Sequence, residues 1–185
     1  ESLGNDNSLR FFVLSNEVQT KRDLFLYPWL RTLVGFFSRT PVRTFLLYPL
    51  LILGWEAFLR RGELELKPAY VVLMVIGYLL YKFSTAYRVK HGGGGSGEKW
   101  AKQPQRLITT GPYRFTRNPV YLGHIIFLIG LALALQSLFA ASIAVVNAVV
   151  FHRRILSDEK RLASVFGQQY FEYTSHVRRW VPGVF

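Results

Sequence analysis

Three arginines, two tyrosines and an asparagine crowd into QRLITTGPYRFTRNPVYLG, residues 105–123, with no acidic residue among them. Pro112 and Pro119 punctuate this stretch, which runs without a break into the apolar segment VYLGHIIFLIGLALAL. Asn118-Pro119 has the form of a helix N-cap followed by N1, where the proline's missing N–H costs nothing. The N–H groups of Val120 and Tyr121 would then face the loop, a setting for an anionic group. Farther along, Asp158 and Glu159 stand just past the end of another apolar run, with Arg154 four residues before Asp158. Loop and acidic pair could therefore close one polar pocket from two walls, and the chemistry on offer is recognition of a small charged ligand at a membrane face. Taken alone, the loop reads first as a helix cap plus a basic membrane anchor, and the acidic pair as solvated helix charges.

The elements that must position these groups are apolar runs. Half of the 185 residues are apolar and 16% are aromatic, clustered rather than alternating, which is the composition of a membrane protein. Four runs qualify, at residues 44–59, 69–87, 120–135 and 138–155. Residues 128–135 carry no charge on any face, unlike a helix of a soluble bundle. The expected fold is all-α and integral to the membrane, with about four transmembrane helices. The last two are joined only by a turn near Gln136-Ser137 and form a helical hairpin. The net charge of +12 follows from topology rather than from nucleic acid binding. With four spans, all but Arg60, Arg61 and Lys67 of the 23 Lys and Arg residues fall on one side, which places both termini and the central loop in the cytoplasm. No cysteine is present, so disulfides and thiolate chemistry are excluded, and the four scattered histidines offer no metal-ligand spacing.

Residues 1–43 read as a polar segment followed by an interfacial helix at 23–38, broken by Pro28 and Arg31, with a re-entrant segment as the alternative. Residues 44–104 hold the first two spans and a Gly-rich loop, and residues 105–185 the loop, hairpin and C-terminal amphipathic helix. Glu56 sits near the far end of the first span, where it can snorkel or pair with Arg60 at i+4. HGGGGSG at 91–97 allows close backbone approach to a ligand but has equally the form of a flexible linker, and no GK[ST] follows it. After the fourth span, Leu162, Val165, Phe166 and Tyr170 make an apolar stripe at helical spacing, which marks a helix that docks onto something.

LITTGPYRFTRNPVYLG and SDEKRLASVFGQQYFEYTSHVRRWVP, in this order and spacing, resemble the integral-membrane methyltransferases of the isoprenylcysteine carboxyl methyltransferase and phospholipid methyltransferase superfamily. There the pattern is G-P-Y-R-x-x-R-H-P-x-Y-x-G, a helical hairpin, E-E-x-x-L-x-x-x-F-G-x-x-Y-x-x-Y and an R-x-x-P-like end. The resemblance implies methyl transfer from S-adenosyl-L-methionine to a lipid or lipidated acceptor drawn from the bilayer, in what would be a bacterial inner membrane. It implies a cofactor site at Gln105, Leu107, Ile108, Tyr113, Arg117, Asn118, Pro119, Tyr121, Asp158 and Glu159. Arg154 would face the acceptor, and Glu159 would serve as base were the acceptor an amine. Asn118 replaces the usual His and Asp158 the first Glu. Lipid amines, prenylated carboxylates and small hydrophobic thiols or amines stay open as acceptors. Two other readings are a non-catalytic scaffold or binder on the same fold and a membrane reductase of the sterol-reductase kind that uses NADPH.

Overall fold

In a computed structural model, the structure describes residues 35–37, 39–92 and 105–180, and every regular element among them is helical. The interfacial helix expected at 23–38 and most of the Gly-rich loop lie outside the described residues. The chain divides into two compact units, Glu1–Leu47 and Tyr48–Phe185. The first holds the short helix Thr40–Val42 and a π turn, Arg43–Leu47. The second holds α1 (Tyr48–Leu59), α2 (Pro68–Gly92), a 3₁₀ turn (Gly111–Arg114), α3 (Pro119–Leu135), α4 (Leu138–Phe166) and α5 (Gln168–His176).

Three helical runs, Thr40–Leu59, Pro68–Gly92 and Leu138–Phe166, are long and apolar enough to cross a membrane. Shorter at 17 residues, α3 rises about 25 Å, a little less than a hydrocarbon core of about 30 Å. Large apolar side chains point outward along all three long runs, among them Leu50, Phe58, Val72, Leu79, Val146 and Val149. Water would penalise such a surface and lipid would not, so the chain is an integral membrane protein. Helix α3 is the central element, with ten of its residues buried, including the whole of Leu128 and Leu135 to within a percent.

Glycines set how close α2 and α3 come. A Cβ on Gly77 would stand 2.5 Å from the Phe127 nitrogen and 2.7 Å from the Gly123 carbonyl oxygen. One on Gly123 would stand 2.7 Å from the Gly77 carbonyl oxygen, and one on Gly130 2.7 Å from the Met74 nitrogen. The two backbones therefore touch, the arrangement by which helices associate where lipid removes the hydrophobic drive between them. Ile52 of α1 packs with Leu131, Leu135 and Ala140 of the hairpin.

The far end of the bundle is closed by charge. Glu56 is buried, pairs with Arg60 at 2.9 Å as its spacing suggests, and also accepts a hydrogen bond from the Ser137 hydroxyl. That hydroxyl in turn accepts from the Ala140 N–H and caps α4. Arg60 donates to the Leu135 carbonyl at 2.9 Å, satisfying an orphan acceptor at the C-terminus of α3. Gln136 turns the corner in left-handed conformation, with φ 49.

Helix α4 does not stop where its apolar run stops. It continues as one rod to Phe166, because nothing in its sequence breaks a helix before Gly167, whose φ of +50 ends it. The apolar stripe is therefore split between two helices, and only part of it docks. Leu162 and Phe166 pack with Tyr170, Tyr173 and Val177, whereas Val165 is 53% exposed. The hairpin puts Gln136 and Ser175, both exposed, at opposite ends of α4 and its extension. Cysteines placed there should react with an impermeant thiol reagent from opposite sides of the membrane, and labelling of both from one side would contradict this topology.

Candidate functional site

The loop that follows residue 104 is held from three directions. The end of α2 supports it: the Tyr87 hydroxyl bonds the Thr110 hydroxyl at 2.8 Å, and the Tyr87 ring fills the space where a side chain on Gly111 would be. Gly111, with φ +61, opens the 3₁₀ turn that carries Pro112 and Tyr113 inward. From α5, the Tyr173 hydroxyl donates to the Tyr113 carbonyl at 2.6 Å. The third support is the extended segment after α5. There the Arg117 N–H donates to the Arg178 carbonyl at 2.9 Å, and the Thr116 hydroxyl and Asn118 amide donate to the Arg179 carbonyl at 3.1 and 3.2 Å. Asn118 stands at the N-cap position of α3 with Pro119 at N1, as the sequence suggests. Its side chain makes no capping bond, and its amide N–H is turned to the Arg179 carbonyl.

Opposite this loop is the polar end of α4. Asp158 accepts from the Tyr121 hydroxyl at 3.3 Å and from Arg161, one turn on, at 3.1 Å. Glu159 is gripped by Arg179, whose Nε reaches both carboxylate oxygens at 3.1 Å and whose Nη2 reaches one at 2.8 Å. Arg117 of the loop adds a contact at 3.4 Å. Between the walls lies a small cavity that opens to solvent. The loop lines it with Leu107, Ile108, Tyr113, Arg117 and Asn118; α4 contributes Asp158, Glu159 and Leu162, and α5 Tyr170 and Tyr173.

Burial pushes the Tyr113 hydroxyl up to about 12, and burial reinforced by the Glu159 charge does the same to Tyr170. Tyr173 is raised further, again chiefly by burial. All three stay neutral across the physiological range and can only donate or accept hydrogen bonds and present ring faces. The hydrogen bonds from Arg179 to Glu159 raise the Arg179 guanidinium above its usual range.

Seven of the residues singled out in the sequence thus line one cavity: Leu107, Ile108, Tyr113, Arg117, Asn118, Asp158 and Glu159. Tyr121 bonds Asp158 from beside it, and Pro119 is buried at the start of α3. Gln105 is exposed at the edge of the described loop and Arg154 is exposed on α4 one turn before Asp158; neither lines the cavity. Leu162, Tyr170 and Tyr173 join the lining, and Arg179 joins its framework, without having been singled out as site residues. The tyrosines stand at the Y-x-x-Y of the second motif and Arg179 at its R-x-x-P-like end, so the signal was present but unassigned.

A helical membrane bundle whose terminal hairpin carries a two-walled polar pocket at one face defines the class. The sequence profile of the phospholipid methyltransferase family matches residues 67–169, more than half of the chain, and the chain belongs to that family. It is similar to protein-S-isoprenylcysteine O-methyltransferase B of Arabidopsis thaliana, 36% identical over 84 residues, 45% of this chain and 43% of that protein. Protein-S-isoprenylcysteine O-methyltransferase A of the same plant is 39% identical over 79 residues, 42% of this chain and 40% of that protein. The Tribolium castaneum protein-S-isoprenylcysteine O-methyltransferase is 34% identical over 77 residues, 41% of this chain and 27% of that protein. The chain therefore spans less than half the length of these relatives.

Proposed function

We propose that this protein transfers a methyl group from S-adenosyl-L-methionine to the carboxylate of a prenylated or similarly lipidated acceptor that approaches from the bilayer. The observation that carries the reading is the composition of the cavity. Its walls come from the two motifs that define the resemblance, and they combine both signs of charge with aromatic faces and an apolar patch. An amino-acid zwitterion joined to a nucleoside needs that mixture. Arg117 would take the ligand's carboxylate, while Asp158 and Glu159 would take its ammonium and ribose hydroxyls. Tyr113, Tyr170 and Tyr173 offer faces to the adenine and to the positive sulfur, and Leu107, Ile108 and Leu162 exclude water. When bound, S-adenosyl-L-methionine supplies a sulfonium-borne methyl group that an acceptor carboxylate can take by in-line displacement with no proton to move.

A carboxylate acceptor suits this lining better than an amine, because it asks for no base and the acidic groups are already engaged by partners. Glu159 is held by Arg117 and Arg179, Asp158 by Arg161 and the Tyr121 hydroxyl, and the tyrosines are held protonated. The relatives are named for O-methylation of protein S-isoprenylcysteine, which points the same way. The division of labour proposed is a catalytic core at 105–185 steadied by the spans at 44–104, with both termini cytoplasmic. The test is transfer of label from methyl-tritiated cofactor in nanodiscs, offering either a short prenylated cysteine with a free carboxylate or phosphatidylethanolamine. Base-labile label on the prenylated cysteine is expected. Label on phosphatidylethanolamine alone would overturn the acceptor assignment, and binding of NADPH in place of the cofactor would favour a reductase.

A further inference from the structure

Three consecutive residues after α5 make an unusual set of attachments. The Arg178 carbonyl holds the Arg117 N–H, the Arg179 carbonyl holds Thr116 and Asn118, and the Trp180 indole N–H donates to His152 Nδ1 at 3.3 Å. Of these three residues, Arg179 is the one that engages both walls of the cavity. Its backbone carbonyl takes two donors from the loop, and its guanidinium takes the Glu159 carboxylate of α4 in a bidentate grip. Two of the groups it grips, Asn118 and Glu159, line the cavity, while Arg179 does not. A strap serving only to tie down the segment after α5 could bind any surface of the bundle; this one binds residues that line the cavity.

We propose that Arg179 is a positioning residue of the site, fixing Glu159 and the Thr116–Asn118 loop in the binding geometry so that closure of the strap and occupancy of the cavity are linked. This rests on the functional reading above. The guanidinium is 30% exposed on its side chain against 13% for the carboxylate, so it forms the solvent side of the pair and can swing out without unpacking the bundle. Planar, two-point geometry is what the contact uses, and a lysine cannot reproduce it. Linkage then works both ways: a ligand that prefers the closed walls by some factor shifts the strap toward closure by that factor, and closure strengthens the ligand by the same one.

The experiment uses the full chain in nanodiscs with S-adenosylhomocysteine as the probe. Arg179→Gln should weaken its binding about ten- to a hundredfold, and Arg179→Lys by a smaller factor, since charge returns without the fork. Turnover should show a raised KM for the cofactor, with kcat and the KM for the acceptor within about twofold of the unaltered protein. In the unaltered protein the probe should also slow tryptic cleavage at Arg178, which is exposed; this arm stands even where a variant fails to fold. Affinity indifferent to Arg179, or cleavage indifferent to the probe, would overturn the inference while leaving the functional reading intact. Failure of the unaltered protein to bind the probe at all would overturn both.

Discussion

Replacing Arg60 with alanine should cost this protein about 2–4 kcal/mol and lower its Tm by several degrees, although Arg60 is far from the cavity. The reason is Glu56. Its side chain is 6% exposed, and its neutralising partner is the Arg60 guanidinium at 2.9 Å. Removing that partner leaves a buried carboxylate with the Ser137 hydroxyl beside it and little access for water. The same substitution strips the Leu135 carbonyl of its donor at the end of α3. The lower end of the range reflects the 31% exposure of the Arg60 side chain, which lets solvent share the work. Glu56→Leu combined with Arg60→Leu should recover much of the loss, because it removes the isolated charge along with the pair. Thermal unfolding of the two variants checks this. An unchanged Tm for Arg60→Ala would mean that the charge cluster does not hold the turn.

The other large effect belongs to Gly77→Ala. A single methyl there would overlap backbone atoms of Phe127 and Gly123, which cannot rotate away as a side chain can. Helices α2 and α3 must separate, at a cost of about 1–3 kcal/mol or more. The damage should reach the cavity, because the end of α2 supports the loop through Tyr87 and Thr110. Gly54→Ala is the control. Nothing lies within 4 Å of a Cβ at that position, so it should be neutral or slightly stabilising. A Gly77→Ala protein that melts with the unaltered one would contradict the close packing described here.

Local features of the chain were legible in its sequence. Asn118-Pro119 marks the start of α3, the uncharged run 120–135 marks a helix with no polar face, and Gln136-Ser137 marks the turn. The two motifs were legible as the walls of one pocket because a hairpin returns the chain to the side it left. What escaped depends on partners far apart in sequence. Arg60 reaches Leu135 across 75 residues, and Asn118 reaches Arg179 across 61, so no spacing rule announces either pair. Asn118 is instructive: its type and position satisfy the capping rule, yet its side chain makes no cap and its amide N–H bonds a carbonyl of a distant strap. Gly77, Gly123 and Gly130 likewise carry no local signature of helix contact, since a glycine in an apolar helix says only that a methyl is missing. The stripe ending in Tyr170 was legible as apolar, but Gly167 turns the chain and leaves Val165 outside the packed cluster.

The most direct test of the account is a titration of S-adenosylhomocysteine into the purified protein in nanodiscs, followed by binding heat and by Tm, for the unaltered chain and for Glu159→Gln. The account predicts micromolar binding with a rise in Tm. Glu159→Gln should lose on the order of 1.5–3 kcal/mol of that binding, about ten- to a hundredfold in affinity. A Glu159→Gln protein that melts lower without ligand, yet keeps the full ligand-induced rise, would contradict the account. The acidic pair would then serve only to anchor Arg117 and Arg179, and the cavity between the two motifs would not be the cofactor site.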